Sequence, residues 1–240
     1  MNIISGIYWD KGEREENQDS LMLEQVFSKR GRILLSMVGD GIGSLSEGET
    51  ASGFLAEKLL IHFYREIVSL VVKGKTDRTV ERSFRRCLYE LNQQLICYGR
   101  SKEIRLGTTV SMIFIRKNRY LLLQLGDSRI YRISGKDRIV RAEKLTRDHL
   151  DENGRLKRCL GSFAYKSPDV KKGKIRKNTG FLLCTDGFFE NLDKRTLAQV
   201  LNPRELTDEK AIEKRLKELA GEACRRGGTD NLSAVYLICR

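Results

Sequence analysis

The chain contains 240 residues, and its 45 lysines and arginines outnumber its 32 acidic residues, which gives a formal net charge of +13. Hydrophobic residues make up 40% of the sequence and charged residues 32%, a mixture too apolar for a disordered tail, and no unbroken apolar stretch is long enough to span a bilayer. Composition therefore excludes these two classes and predicts a soluble globular protein, with residues 1–240 forming one domain because no proline-rich linker divides them.

Eight strands are predicted from short apolar and β-branched runs that end at turn signals. In chain order they are Ile3–Trp9, Leu21–Phe27, Ile33–Val38, Thr108–Ile115, Tyr120–Leu125, Arg129–Ile133, Phe181–Cys184 and Leu232–Cys239. Three amphipathic helices are predicted from apolar residues at three- and four-residue spacing. They are Glu49–Val72, a second segment with apolar positions from Val80 to Leu95, and Asp208–Arg225. Because the strands cluster before and after the helices, the order favours an α+β fold with antiparallel sheets and outer helices over a doubly wound parallel sheet.

The first ten residues and the cysteines both indicate a cytoplasmic protein. Met1 to Asp10 contain no cationic segment followed by an apolar core and a cleavage site, so no signal peptide is expected. The six cysteines form no C-x-x-C pair and mostly lie in apolar runs, which is typical of reduced thiols packed in a core.

The positive charge raises the possibility of nucleic-acid binding, because clustered cations displace counterions from phosphates. The densest basic cluster is the stretch from Lys171 to Lys177, but no aromatic residue is interleaved with it, and no zinc-finger spacing occurs in the chain. A solvated basic face is therefore favoured over a nucleic-acid interface. Such a face can still attract an acidic partner over a distance.

Carboxylates stand at the ends of several predicted strands. Asp40, Asp127 and Asp186 each follow an apolar strand, whereas Asp19 and Asp230 each precede one. A single Asp beside Gly usually does no more than form a turn. The recurrence at strand ends predicts instead that four or five carboxylates meet at one edge of the sheets.

Carboxylates brought that close cannot all stay ionised without cations. Oxygen ligands without a nearby histidine or thiolate suit a hard divalent ion such as Mg²⁺ or Mn²⁺. Two such ions about 3.5–4 Å apart form a clamp for phosphoryl transfer. The sequence also lacks the Cys-x5-Arg cradle of cysteine phosphatases and the Asp-x-Asp motif of aspartyl-phosphate enzymes.

A set of ordered motifs between residues 14 and 231 resembles the metal-dependent PP2C-type (PPM) serine/threonine phosphatases, in their bacterial style. The motifs are Arg14-x-x-Asn17-Gln18-Asp19, Gly39-Asp40-Gly41-x-Gly43, Gly48-Glu49-x-Ala51-Ser52, Gly107-Thr108-Thr109, Gly126-Asp127-Ser128-Arg129-x-Tyr131, Leu145-Thr146-x-Asp148-His149, Arg158-x-Leu160-Gly161, Cys184-Thr185-Asp186-Gly187 and Gly228-Thr229-Asp230-Asn231. The resemblance implies a four-layer αββα sandwich in which helix pairs flank two antiparallel sheets. It also implies hydrolysis of phosphoserine and phosphothreonine in proteins.

The same resemblance implies a binuclear Mn²⁺ or Mg²⁺ site. Asp40 is expected to bridge both ions, the Gly41 carbonyl to bind one of them, and Asp186 and Asp230 to hold the other. Asp127, together with Asp186, matches the position of a third ion.

The remaining site residues implied by the resemblance are Asp19 and Arg14. Asp19 is expected to act through metal-bound water, and Arg14 to grip the substrate phosphate with its guanidinium fork. Water activated by the metals would attack phosphorus in line, without a phosphoenzyme intermediate. The implied partners are phosphoproteins made by a cognate Ser/Thr kinase, and the protein is expected to act as a monomer without nucleic acid.

The chain departs from the family pattern at several positions, among them Ile42, which stands where animal members have a histidine. Ser44 stands where a second glycine is usual, and only Leu150 to Gly154 separate His149 from Arg155, where bacterial relatives insert a flap subdomain. The flap is therefore predicted to be deleted and the cleft to be open. The alternative to an enzyme is a catalytically silent PPM-fold binding module, since a fold can outlive its chemistry.

Overall fold

A computed structural model describes residues 1–42, 47–136, 139–161 and 164–240. Its strands are β1 (Ile3–Asp10), β2 (Asp19–Ser28), β3 (Gly31–Asp40), β4 (Val110–Arg116), β5 (Arg119–Leu125), β6 (Arg129–Lys136), β7 (Ile139–Lys144), β8 (Asp169–Lys174), β9 (Thr179–Cys184) and β10 (Leu232–Cys239). Its α-helices are α1 (Gly48–His62), α2 (Val68–Val72), α3 (Asp77–Lys102), α4 (Asp186–Phe189), α5 (Lys194–Val200) and α6 (Glu209–Arg225), and a π-helical turn (Phe63–Ile67) joins α1 to α2.

The strands form two five-stranded antiparallel sheets. One sheet has the order β1-β10-β9-β6-β7 and the other the order β2-β3-β4-β5-β8. All eight predicted strands and all three predicted helices are present, with ends shifted by a few residues. The apolar runs become central strands because both of their faces are covered, as in the fully buried β9 and β10.

Three apolar cores separate four layers. Between the sheets, side chains such as Val38, Ile113 and Val235 pack against one another. The outer face of the β2–β8 sheet is covered by α1 and α3, and the outer face of the β1–β7 sheet by α5 and α6. Each sheet thus buries both faces, which confirms the predicted αββα arrangement with a helix pair on each side.

Strands β7 and β8 were not predicted, and the basic stretch from Lys171 to Lys177 is correspondingly not an irregular segment. Its first part belongs to β8, which pairs with β5 at the edge of a sheet. There Lys172 forms an ion pair with Glu81, and Lys171 lies 3.9 Å from Glu143. An edge strand tolerates such a polar sequence because its lysines remain exposed, and they protect its unpaired edge.

The predicted short connection after His149 is present as a tight turn. Leu150 pairs with Leu156, and the amide of Gly154, which has a φ of 73°, donates to the Asp151 carbonyl at 3.1 Å. The Asp151 side chain accepts hydrogen bonds from the amides of Asn153 and Arg155. The connection from Leu150 to Gly154 is therefore closed by local bonds and carries no flap.

The cysteines follow the prediction only in part. All six lie within the described residues and none of them forms a disulfide; four are buried, but Cys97 on α3 is exposed. Across the described ranges, no helix combines the length and the apolar character that crossing a membrane requires.

Candidate active site

A cleft of about 700 Å³ opens at the edge where the strands carrying the predicted carboxylates end. Its walls include six of the seven predicted site residues. They are Arg14, Asp40, Gly41, Asp127, Asp186 and Asp230. The structure therefore brings together residues that lie up to 216 positions apart in the chain.

Strand pairing explains the convergence. Asp40 ends β3 opposite Asp19 at the start of β2. Asp186 lies two residues after the end of β9, and Asp230 lies two residues before the start of β10. These two strands are antiparallel partners, so the end of one meets the start of the other. Asp127 follows β5 in the turn that leads to β6. One end of both sheets thus collects the carboxylates, as the sequence predicted.

Asp19 is the predicted site residue that lies behind the cleft wall instead of lining it. Its side chain is buried, and its Oδ2 accepts a hydrogen bond from the Thr185 hydroxyl at 2.8 Å. Trp9 donates its indole N–H to the Asp19 carbonyl at 3.0 Å. Asp19 therefore supports the wall beside Asp40 as the side chains stand.

Burial and mutual repulsion make the carboxylates hard to ionise. Burial, followed by the charges of neighbouring carboxylates led by Asp186, raises the pKa of Asp40 well above its usual range. Burial and the charges of Asp127 and Asp230 raise the pKa of Asp186 to about 7. Burial raises the pKa of Asp19 to about 6, although the bond from Thr185 opposes the shift. The cluster therefore has too little positive charge nearby to keep all of its carboxylates ionised.

Arg14 partly compensates for this charge, because its guanidinium binds the Asp230 carboxylate through two nitrogens, Nε at 3.1 Å and Nη2 at 3.0 Å. The two side chains are 56% and 43% exposed, so the pair lies at the mouth of the cleft. The arginine predicted to grip phosphate thus contacts a predicted metal ligand.

Asn231 is a positioning residue whose role the sequence analysis did not identify, although it belongs to one of the motifs. Its Nδ2 donates to the carbonyls of Lys11 and Glu16, both at 2.9 Å, and its Oδ1 accepts from the amide of Gln18 at 2.9 Å. These bonds tie the loop that carries Arg14 to the start of β10. Leu156, in the wall of the cleft, was missed because nothing in its local sequence distinguishes it.

His149 holds the turn that carries Asp127. Its Nδ1 accepts the Gly126 amide at 3.0 Å, and its own amide donates to the Gly126 carbonyl at 3.1 Å. Gly126 has a φ of 112°, a conformation that side chains disfavour. Both backbone groups of the glycine are thereby fixed directly before Asp127.

At the other end of the cleft, the glycine-rich segment after β3 is described only in part. Gly41 lies so close to Gly48 that a Cβ would overlap the Gly48 carbonyl oxygen, which lets α1 begin beside the cleft. Gly43 and Ser44, on which part of the motif comparison depends, lie outside the described residues.

A family model described as protein phosphatase 2C matches residues 12–220. The chain belongs to the protein phosphatase 2C family. The predicted family and the predicted PP2C-type phosphatase are thereby confirmed.

Individual relatives of this PP2C chain are distant but match it along nearly its whole length. The serine/threonine phosphatase stp of Listeria monocytogenes is 24% identical over 95% of this chain and 92% of its own length. Stp1 from Staphylococcus aureus has a similar fold, with a TM-score of 0.81 and 21% identity over 100% of this chain and 96% of its own. The catalytic domain of PstP, solved in complex with two manganese ions, has a TM-score of 0.74 and 21% identity over 98% of this chain and 97% of its own. These likenesses confirm the α+β fold.

The carboxylates of this PP2C chain fit a hard divalent ion. Among the described residues, no three Asp, Glu, His or Cys side chains form a metal-binding group as they stand. However, Oδ1 of Asp127 is buried without a hydrogen-bond partner, a costly arrangement that a cation would relieve. The donors around the cleft are carboxylate and carbonyl oxygens, which Mg²⁺ and Mn²⁺ prefer.

The raised pKa values predict an unusual pH dependence for the stability of the chelated protein. Asp19 and Asp186 hold protons in the folded state up to about pH 6 and 7, whereas an unfolded Asp releases its proton near 3.8. Their contribution is complete below about pH 4 and is lost as the pH rises through 7. In EDTA, we expect the thermal midpoint to fall more steeply between pH 5 and 7.5 for the wild type than for Asp186→Asn. Each kcal/mol of unfolding free energy that is lost corresponds to a fall of about 2–4 °C in the thermal midpoint.

Differential scanning fluorimetry of both proteins across this range measures the difference. Excess Mn²⁺ should remove most of it for the wild type, because ions bind the deprotonated carboxylates. Parallel curves for the two proteins in EDTA would show that Asp186 titrates like an exposed carboxylate.

Proposed function

We propose that this protein hydrolyses phosphoserine and phosphothreonine in proteins at a binuclear Mn²⁺ or Mg²⁺ centre. The observation that carries the proposal is a single cleft. It is lined by four aspartates and one arginine: Asp40, Asp127, Asp186, Asp230 and Arg14. Membership of the protein phosphatase 2C family and the serine/threonine specificity in the names of the relatives support the substrate class.

The family resemblance suggests the ligands, and their place in one cleft supports it. The carboxylates of Asp40, Asp186 and Asp230 and the carbonyl of Gly41 would hold the two ions. Asp127, together with Asp186, would hold a third ion if one binds. The manganese ions in the PstP catalytic domain support this class of cofactor.

Such ions supply Lewis acidity that activates water and neutralises the phosphate in phosphoryl transfer. The residues of the chain position the substrate around them. The two nitrogens of Arg14 that now bind Asp230 offer the fork geometry that suits a phosphate, so a bound substrate phosphate replaces the carboxylate as the partner of Arg14. The family resemblance suggests that Asp19 would act through metal-bound water, but the side chain lies behind Asp40 with its Oδ2 bound by Thr185, so this role would depend on its second carboxylate oxygen.

We propose that the protein acts in the cytoplasm. Residues 1–240 act as one phosphatase domain and as a monomer on phosphoproteins that a cognate Ser/Thr kinase produces. The clustered cations lie beside acidic partners, as Lys172 lies beside Glu81, which favours a solvated basic surface over a nucleic-acid interface.

Phosphate release from matched peptides tests the proposed function. The peptides carry phosphoserine, phosphothreonine or phosphotyrosine in one sequence and are assayed with Mn²⁺, Mg²⁺ or EDTA. We expect release from the first two only when an ion is present, with loss in EDTA and recovery on excess Mn²⁺. Release that persists in EDTA contradicts the metal mechanism. Manganese-induced thermal stabilisation without release from any peptide identifies a silent binding module instead.

A further inference from the structure

A second cleft of about 340 Å³ lies outside the proposed active site and is rich in cations. Its charged lining, apart from a buried histidine, consists of Arg147, Lys157, Arg158 and Lys166, with Asp148 and Asp169 between them. Its volume is at the lower end of the range of small-ligand pockets. This concave site is distinct from the basic stretch of β8.

The two acids of the second cleft are already engaged. Asp148 binds Arg129 at 2.7 Å and Lys144 at 3.0 Å, and both of these cations lie outside the cleft lining. Asp169 accepts from Arg158 at 3.0 Å.

Oδ2 of Asp169 also lies 3.2 Å from Nε2 of His149. By contrast, the exposed side chains of Arg147, Lys157 and Lys166 form no ion pair with any residue in the described part of the chain. The second cleft therefore presents three cations that are not engaged in an ion pair, although Lys157 also feels the charge of Asp151.

The second cleft shares a wall with the active-site cleft. Leu156 lines the first cleft, and the next residue, Lys157, lines the second. The Lys157 amide donates to the His149 carbonyl at 2.7 Å, and His149 in turn fixes Gly126, directly before Asp127. The turn that stands in place of a flap thus separates the two clefts by a single layer of chain.

We propose that the second cleft binds a second phosphoryl group of the substrate, on a residue close in sequence to the phosphoresidue being hydrolysed. A phosphoryl group carries a charge of about −1.5 to −2 and three strong acceptor oxygens, which three unpaired cations can match and a single carboxylate cannot. This inference rests on the proposed function and specifies its substrate as a doubly phosphorylated segment.

The charge of the basic stretch from Lys171 to Lys177 would not be sufficient to select a doubly phosphorylated substrate. β8 runs away from the catalytic edge, since Asp169 pairs with Gln124 near the end of β5 and Lys174 pairs with Arg119 at its start. The lysines of the basic stretch are therefore farther from the active site than the second cleft is. Recognition of a nearby phosphate is expected to depend on the cleft and not on the strand.

The test compares peptides that differ only at the second position. Each peptide carries one phosphoserine that is hydrolysed and, at a second position, phosphoserine, Asp or Ala. The second position lies about one to six residues from the first, which corresponds to a distance of up to roughly 20 Å in an extended chain. We expect the wild type to have a kcat/KM about tenfold or more higher for the best-spaced doubly phosphorylated peptide than for its Ala counterpart. The Asp peptide should fall near the Ala peptide.

A triple variant, Arg147→Gln, Lys157→Gln and Lys166→Gln, should reduce that ratio to about one. The matched control, Lys210→Gln, Lys214→Gln and Lys217→Gln, removes three exposed lysines on α6 and the same net charge, and should keep the ratio of the wild type. An equal loss in both variants, or equal use of the three peptides by the wild type, overturns the proposal. An equal kcat/KM for the peptides with Asp and with phosphoserine at the second position would show that the cleft does not specifically recognise a phosphoryl group, which overturns the proposal.

Binding separates this inference from the proposed function. The affinity of the same peptides for the Asp40→Asn protein and for its cleft triple variant is measured by fluorescence anisotropy, where no turnover is needed. Tighter binding of the doubly phosphorylated peptide that depends on the three cations supports the second cleft even if the wild type releases no phosphate. Its absence overturns the proposal even if the wild type is an active phosphatase.

Discussion

Asp40→Asn is expected to lower Mn²⁺-dependent hydrolysis of p-nitrophenyl phosphate by about 10³-fold or more and to leave the protein folded. The loss follows because Asp40 is the proposed bridge between two ions that each stabilise the transition state by several kcal/mol. The fold should survive because desolvation and the charges of Asp186, Asp19 and Asp127 destabilise the ionised Asp40 carboxylate and raise its pKa. Asparagine has nearly the same shape and removes that repulsion.

Two measurements on purified protein check this expectation. Turnover is compared with that of Glu213→Gln, which removes an exposed carboxylate from α6 far from the cleft and should behave like the wild type. The thermal midpoint in EDTA should be equal to or higher than that of the wild type, and its rise on adding Mn²⁺ should be much smaller. Wild-type turnover in Asp40→Asn would remove Asp40 from the proposed centre.

Arg14→Ala is expected to lower kcat/KM by about 10- to 100-fold without weakening metal binding. Charge-assisted hydrogen bonds contribute roughly 1.5–3 kcal/mol, which sets the size of the effect on a substrate phosphate. Because Arg14 binds Asp230 at 3.0 Å, its removal also frees a proposed metal ligand. The Mn²⁺ affinity of the variant should therefore equal or exceed that of the wild type.

Arg14→Lys distinguishes the shape of the side chain from its charge. Lysine keeps the positive charge but lacks the fork that binds two oxygens, so it should restore only part of the lost kcat/KM. Steady-state kinetics and a Mn²⁺ titration followed by thermal midpoint provide both readouts. A kcat/KM unchanged in Arg14→Ala would leave Arg14 as the partner of Asp230 alone.

Sequence alone determined most of the fold. Central strands such as β9 and β10 are almost wholly apolar, and α3 repeats its apolar positions at helical spacing, so burial leaves a direct mark on their sequences. Edge strands leave no such mark. β8 contains Lys171, Lys172 and Lys174, and it becomes a strand only because β5 offers it a partner. The short helices α4 and α5 were missed because a helix of four or seven residues has too few positions to show a period.

The place of the carboxylates in the candidate site was also predictable from the sequence, because an Asp at the end of an apolar strand has a predictable place at the edge of a sheet. What surrounds each carboxylate was not visible. Arg14 and Asp230 lie 216 positions apart, and only the pairing of β1 with β10 brings their loops together. Likewise, only the packed structure places Asp19 behind the wall, buried against Thr185.

The second cleft illustrates the same division. Lys157 and Lys166 are ordinary exposed lysines in a basic sequence, and no local pattern distinguishes them from those on α6. Their significance arises because the carboxylates that line the same cleft, Asp148 and Asp169, are already bound by other cations. Charge compensation depends on distances of a few ångströms between remote segments, and those distances exist only once the chain has folded.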